Sequence, residues 1–174
     1  MIAGNRNKIN DEERKVMEMD SIDIQILKLL KENARQKASY ISKQVNLSVS
    51  SVIERIRKME EKGIIKDYMA VVDHKKLGLD VTALMEVSLE HPKFYDSFTE
   101  AVKKSPYIVE CYYLTGDYDF CIKICCESSD KLESIHRMLK SINGVSHTTT
   151  HFVLKEVKNI FLPDVTEKNV LKTE

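Results

Sequence analysis

Ser48, Ser50, Ser51, Glu54, Arg55, Arg57 and Lys58 are crowded into the segment 48–58. Their chemistry is recognition by hydrogen bonds and charge rather than the making of bonds. Serine hydroxyls near a helix start can pair with a base edge or a phosphate, and an arginine fork suits a guanine edge or a phosphate. At about 100° per residue, Ser50, Ser51, Glu54, Arg57 and Lys58 lie broadly opposite a stripe of Val52, Ile56 and Met59. Arg55 falls close to that stripe, where a flanking ion pair or a phosphate contact suits it better than base reading. The competing reading is an ordinary solvated helix face. The surrounding elements decide between the two.

Asp20 to Ile65 reads as three short helices with a tight break between the second and third. Ile22, Ile26, Leu29 and Leu30 fall at i, i+4, i+7 and i+8, one apolar stripe of an amphipathic helix. Asp20 can cap it, and Asp23 places a carboxylate in the first turn, where the helix dipole favours it. Ala38, Ile41 and Val45 predict a shorter second helix, with Asn46-Leu47 as the break. Ser48 is a natural N-cap for the third helix, and Gly63 stands where a left-handed C-terminal residue is wanted. Three helices in this order, the last capped by serine and basic outside, are how a chain builds a head for the DNA major groove.

The whole chain sets bounds on that reading. Its 174 residues suit one large domain or two small ones. No segment approaches the roughly 20 apolar residues of a membrane span, and no signal peptide is evident, so a cytoplasmic protein without a membrane partner is expected. Net charge is zero, but residues 20–70 hold ten Lys/Arg against seven Asp/Glu, and residues 71–174 hold 13 against 16. The basic end is the helical end, as DNA binding requires. An excess this small gives a weak single head and argues for at least a dimer using two. Cys111, Cys121, Cys125 and Cys126 lack paired C-x-x-C spacing and read as buried free thiols in a reducing compartment. Neither a metal nor a cofactor is expected.

Residues 1–19 are polar and read as an arm, helical near Glu12 to Met19. Residues 67–79 read as a linker, with Ala70-Val71-Val72 strand-like and His74 to Gly78 turn-like. After that the periodicity changes from helical to alternating. Val81, Ala83, Met85, Val87 and Leu89 alternate with polar residues, the pattern of a half-buried strand. A helix on Phe94, Phe98, Ala101 and Val102 follows, then a strand from Ile108 to Leu114. Gly116-Asp117 turns into a returning strand, Tyr118 to Cys126. A helix on Leu132, Ile135, Leu139 and Ile142 ends at Asn143-Gly144, and Val145 to Leu154 is the last strand. Ile160 to Leu162 could add an edge strand. The fold class is α+β: a helix-turn-helix domain of winged-helix kind over 20–66, and a ferredoxin-like βαββαβ domain over 80–163, with a tail over 164–174. One sheet face is covered by its helices. On the other, Tyr112, Leu114 and the apolar residues of the third strand leave area that sheet-to-sheet dimerisation would bury.

With both halves in view the chain resembles the Lrp/AsnC, or feast/famine, family of transcriptional regulators over about residues 19–163. The head carries the likeness in Met19-Asp20, Asp23, Ile26-Leu27, Asn33-Ala34-Arg35, Leu47-Ser48, Arg55-Ile56, Glu60 and Gly63-x-Ile65. The second half carries it in Leu77-Gly78, in Leu114-Thr115-Gly116-Asp117-Tyr118-Asp119, and in Asn143-Gly144-Val145 with Thr148 and Thr150. The resemblance implies a dimer that often assembles to tetramers or octamers around which DNA wraps. It also implies a small effector, usually an amino acid, held between facing subunits. By position the effector site takes Thr115, Gly116, Asp117 and Asp119 from the hairpin, and Thr148 and Thr150 from a neighbouring subunit. Free N–H groups beside Gly116 can take a carboxylate and an aspartate an ammonium. The same residues are also what a tight hairpin and a strand ordinarily use.

Departures from the family pattern are Lys37 where a serine often caps the second helix, Asn33 for a frequent aspartate, and Val49 for a frequent proline. The extended arm is a further one. Two other functions compete. Siroheme decarboxylases resemble the same two-domain arrangement, but this chain has no tryptophan and no His-Asn-Tyr segment, and no acid/base pair or nucleophile cluster suggests an enzyme. A sensor that has lost DNA binding would fit the neutral overall charge, but not the capped, basic third helix.

Overall fold

In the computed structural model, residues 19–159 are described. They form two compact units that divide between Ala70 and Val71.

The first unit is helical: α1 (Ser21–Glu32), α2 (Ala38–Gln44) and α3 (Val49–Glu61). The starts of α1 and α3 have local causes. Asp20 and Asp23 close a reciprocal capping box: the Asp23 N–H donates to Asp20 Oδ1 at 2.8 Å and the Asp20 N–H to Asp23 Oδ2 at 3.3 Å. Ser48 caps α3 by accepting from the Ser51 N–H at 3.1 Å. Lys37 gives α2 no side-chain cap. Between α2 and α3 the chain turns through Asn46 in the left-handed region, at φ 53°, where asparagine is among the tolerated residues. Ile24, Ile26, Ile41, Val45, Val52 and Met59 make the core. Of the α1 stripe expected from Ile22, Ile26, Leu29 and Leu30, Ile26 is buried and the other three are half-buried against the core; Ile24 and Asp23 are buried as well.

The second unit is the expected βαββαβ arrangement. Its strands are β1 (Val81–Leu89), β2 (Ile108–Tyr113), β3 (Phe120–Cys126) and β4 (Val145–Phe152), with helices α4 (Tyr95–Lys104) and α5 (Ser129–Lys140). The antiparallel sheet has the order β2-β3-β1-β4. Val81, Ala83, Met85 and Val87 of β1 lie beside Phe120, Ile122, Ile124 and Cys126 of β3 and pack against Phe98, Val102, Leu132, Ile135 and Leu139 of the helices. Gly144, at φ 89°, closes the turn after α5. A Cβ there would stand 2.1 Å from the Phe94 ring, so only glycine lets that ring pack against the turn.

Two expectations about this unit are corrected. Phe120, Ile122, Ile124 and Cys126 of β3 lie under the helices, so only Cys121 and Cys125 of its apolar residues contribute to the open sheet face. That face also carries Leu84, Glu86, Lys123, Glu110, Tyr112, Thr149 and His151, the charged groups joined in part as pairs: Lys123 Nζ to Glu110 at 3.2 Å and His151 Nε2 to Glu86 at 3.4 Å. Ala70-Val71-Val72 forms no strand and is solvent-exposed, because no strand among the described residues lies beside it. The turn at 74–78 is present as a short 3-10 segment, Lys75–Leu77, closed by left-handed Gly78. Cys125 and Cys126 are buried, whereas Cys121 is half-buried and Cys111 exposed. The arm, the edge strand at 160–162 and the tail lie outside the described residues.

Candidate functional site

The outer surface of α3 begins with a knot of hydroxyls. Ser48 Oγ, besides capping the Ser51 N–H, lies 2.9 Å from Ser50 Oγ and 2.7 Å from Ser51 Oγ. All three serines are exposed, so each can exchange a neighbour for a phosphate or base edge without unburying anything. One turn on, the Arg57 fork lies against Glu54, with Nη2 to Oε1 at 2.8 Å and Nε to Oε2 at 3.1 Å, and also meets Glu61. Lys58 approaches the same Glu54 at 3.9 Å. The Arg57 hydrogen bond holds the Glu54 carboxyl below its usual range, and the Glu54 bond holds Arg57 above its own. These groups are exposed, so the pairing is weak and a phosphate can replace it. Ser50, Ser51, Glu54, Arg57 and Lys58 thus share the exposed side of α3, as the spacing requires.

Arg55 has a different position. Its Nη1 donates to Asp20 Oδ2 at 2.8 Å and to Asp23 Oδ1 at 2.7 Å, tying the middle of α3 to the capping box of α1. Burial raises the Asp20 pKa, but the Asp23 amide and the Arg55 guanidinium outweigh it and hold the carboxyl below its ordinary value. Of the two roles the sequence left to Arg55, the flanking ion pair is present. Its side chain remains 30% exposed. Two apolar side chains, Val49, noted above only as a departure from a frequent proline, and Ile53, are also solvent-exposed. Neither belongs to the Val52, Ile56 and Met59 stripe expected to be buried.

At the hairpin between β2 and β3, Thr115, Gly116 and Asp117 are exposed, with Gly116 at φ 132°. Asp117 offers its carbonyl to Ser88 Oγ at 3.4 Å. Asp119 is occupied: Oδ2 accepts the Leu89 N–H at 2.7 Å, its N–H donates to the Val87 carbonyl at 3.0 Å, and its carbonyl takes the Leu114 N–H at 2.7 Å. It closes the end of the sheet where β1, β2 and β3 meet. On the edge strand β4, Thr148 and Thr150 share the face of Val87 and Met85. Thr148 Oγ1 lies 3.1 Å from His136 Nε2 on α5, and Thr150 is exposed. Within one chain, then, the hairpin and threonine groups line surface rather than a common enclosed cleft. Two subunits facing each other would be needed to enclose a ligand between them.

A three-helix head with a serine-capped, polar third helix, joined to a ferredoxin-like domain, defines a two-domain helix-turn-helix regulator. Residues 19–66 match the winged helix-turn-helix DNA-binding family and residues 82–161 the Lrp/AsnC ligand binding domain. The chain is similar to the HTH-type transcriptional regulator FL11 of Pyrococcus horikoshii, 38% identical over 140 residues, which are 80% of this chain and 92% of the relative. It is 33% identical to LrpC of Bacillus subtilis over 81% of this chain and 95% of that one. Among solved structures, a Neisseria meningitidis transcriptional regulator in complex with L-Met superposes with a TM-score of 0.79 at 30% identity, covering 83% of this chain and 96% of that one. AsnC of E. coli does so with a TM-score of 0.76 at 31% identity, covering 81% and 95%. The chain belongs to the Lrp/AsnC family of transcriptional regulators.

Proposed function

We propose that this regulator binds double-stranded DNA through the exposed side of α3 and changes its affinity or assembly when an amino acid occupies the hairpin of the second unit. The observation that carries the reading is α3 itself. A serine-capped helix presents three hydroxyls and a displaceable arginine fork to solvent, within a segment that matches a DNA-binding family. Ser48, Ser50, Ser51, Glu54, Arg57 and Lys58 make the contacts, and Arg55 holds the helix for them. The likeness to a regulator solved with L-Met supports an amino-acid effector. Thr115, Gly116 and Asp117 of one subunit, with Thr148 and Thr150 of another, are its candidate groups, and Asp119 shapes the hairpin. Dimerisation through the open sheet face, with growth to tetramers or octamers, would bring two heads to one DNA and pair the effector groups. No helix among the described residues is long and apolar enough to cross a membrane. A cytoplasmic regulator without enzymatic activity fits these features.

The deciding experiment titrates the full chain against the DNA upstream of its own gene and against random duplex, at fixed salt, with each amino acid in turn. Preference for the upstream DNA, altered by one amino acid, is expected. Specific binding indifferent to every amino acid would empty the proposed pocket and leave the DNA reading standing. Absence of any preference, there or in duplexes selected from a random pool, would overturn the DNA reading.

A further inference from the structure

Most polar groups on α3 already have partners within the chain: Arg57 lies between Glu54 and Glu61, Lys58 approaches Glu54, and the serine hydroxyls hold one another. Among them stand two large apolar side chains, Ile53 at 54% exposure and Val49 at 41%. Neither belongs to the core of the first unit, nor to the residues packed on it. Val49, Ile53 and Arg57 follow one another at four-residue steps, a row that drifts only about 40° per step and so runs along one side of the helix. The row is apolar in its first two members and cationic in its third, flanked by Ser50 and Glu54. A β-branched residue held exposed amid such neighbours loses apolar burial unless a partner covers it.

The occupant is named by what else that side of α3 meets. In the major groove one base-pair feature is apolar, the C5-methyl of thymine, and aliphatic side chains are its natural contacts. We infer that Ile53, with Val49 one turn before it, reads thymine methyl groups, and that the sequence preference of this regulator includes thymine opposite the first half of α3. This rests on the proposal that α3 enters the major groove. It differs in kind from the polar contacts, because it discriminates by a methyl group and makes no hydrogen bond. The polar groups then fix register, and Ile53 selects the base.

The test isolates the methyl. Duplexes bound by the wild-type chain are first selected from a random pool. In the best of them each thymine is replaced singly by deoxyuridine, which pairs identically and lacks only the methyl. Wild-type binding is expected to weaken about three- to fivefold at one or two positions of each half-site, the scale of one lost methyl burial. The variant Ile53→Ala, an exposed change that leaves the core intact, is expected to bind the thymine and deoxyuridine duplexes equally at one of those positions. Penalties of equal size in wild type and Ile53→Ala, or no penalty anywhere, would overturn the inference and leave DNA binding intact. If no duplex is enriched from the pool, the DNA reading fails and this inference with it.

Discussion

Replacing Arg55 by alanine separates a brace from a DNA contact. The Asp23 side chain is only 6% exposed, that of Arg55 30% and that of Asp20 50%. Without the guanidinium, Asp23 keeps one long capping bond, from the Asp20 N–H at 3.3 Å. Removing one partner of a fully buried pair costs about 3–5 kcal/mol, whereas an exposed pair is worth about 0–1 kcal/mol. The half-open geometry here lies between, and a charged hydrogen bond contributes about 1.5–3 kcal/mol. A loss of about 2–3 kcal/mol is therefore expected, which in a unit this small lowers the melting temperature by roughly 10–20 °C. Arg55→Lys recovers part of it, since one ammonium keeps the charge but lacks the planar fork. Acid dependence follows from Asp20, whose folded pKa lies below its ordinary 3.8. The unfolded chain takes up that proton first, so the contribution is full above about pH 5 and fades as pH falls through the folded value. Urea unfolding of the full chain, followed by circular dichroism at pH 7 and pH 3, reads both effects. Unchanged stability in Arg55→Ala together with lost DNA binding would refute the brace and return Arg55 to the phosphates.

Arg57→Ala should weaken operator binding about tenfold with the oligomer unchanged by size-exclusion chromatography; Glu54→Ala, by removing one of the two carboxylates that hold the fork, should strengthen binding to random duplex and steepen its salt dependence. A weaker Glu54→Ala complex at every sequence would contradict that antagonism. Gly144→Ala forces a Cβ into the Phe94 ring at positive φ, and a loss of about 2–4 kcal/mol in thermal or urea unfolding is expected; a stability equal to wild type would be inconsistent with that packing. Asp119→Ala leaves the Leu89 N–H without its acceptor and should cost about 1–3 kcal/mol. Asp117→Ala should leave stability within about 0.5 kcal/mol while removing the amino-acid response in the DNA titration. Equal destabilisation by the two would remove the distinction between shaping residue and ligand group.

Local signals wrote most of this fold into the chain. The β1 alternation, the Ser48 cap and the Gly63 and Gly144 stops are short-range features, and each element they delimit is present within a few residues of its expected place. What the sequence hid depends on distant partners. Asp23 looked like a dipole-favoured surface acid, and its burial rests on an arginine 32 residues away. The β3 segment is apolar along most of its length, so composition alone does not say which side meets the helices; its register with β1 does. Val71 and Val72 have strand-like composition, but a strand needs a neighbour that the described residues do not provide. At the candidate site the helical phase places the charged residues of α3 on the exposed side, as found; the exposure of Ile53 and Val49 drew no attention because recognition there was assigned to polar and charged groups.

Asp20, two residues after Glu18, is fastened to the middle of α3 through Arg55 at 2.8 Å. That clasp makes the start of α1 a fixed mooring point beside the helix proposed to enter DNA. A tag joined directly ahead of Asp20 would therefore start beside that helix, at a local concentration on the order of millimolar set by tether length. Affinities measured on N-terminally tagged and untagged protein will therefore differ through the tether, even where the fold and every contact of α3 are the same.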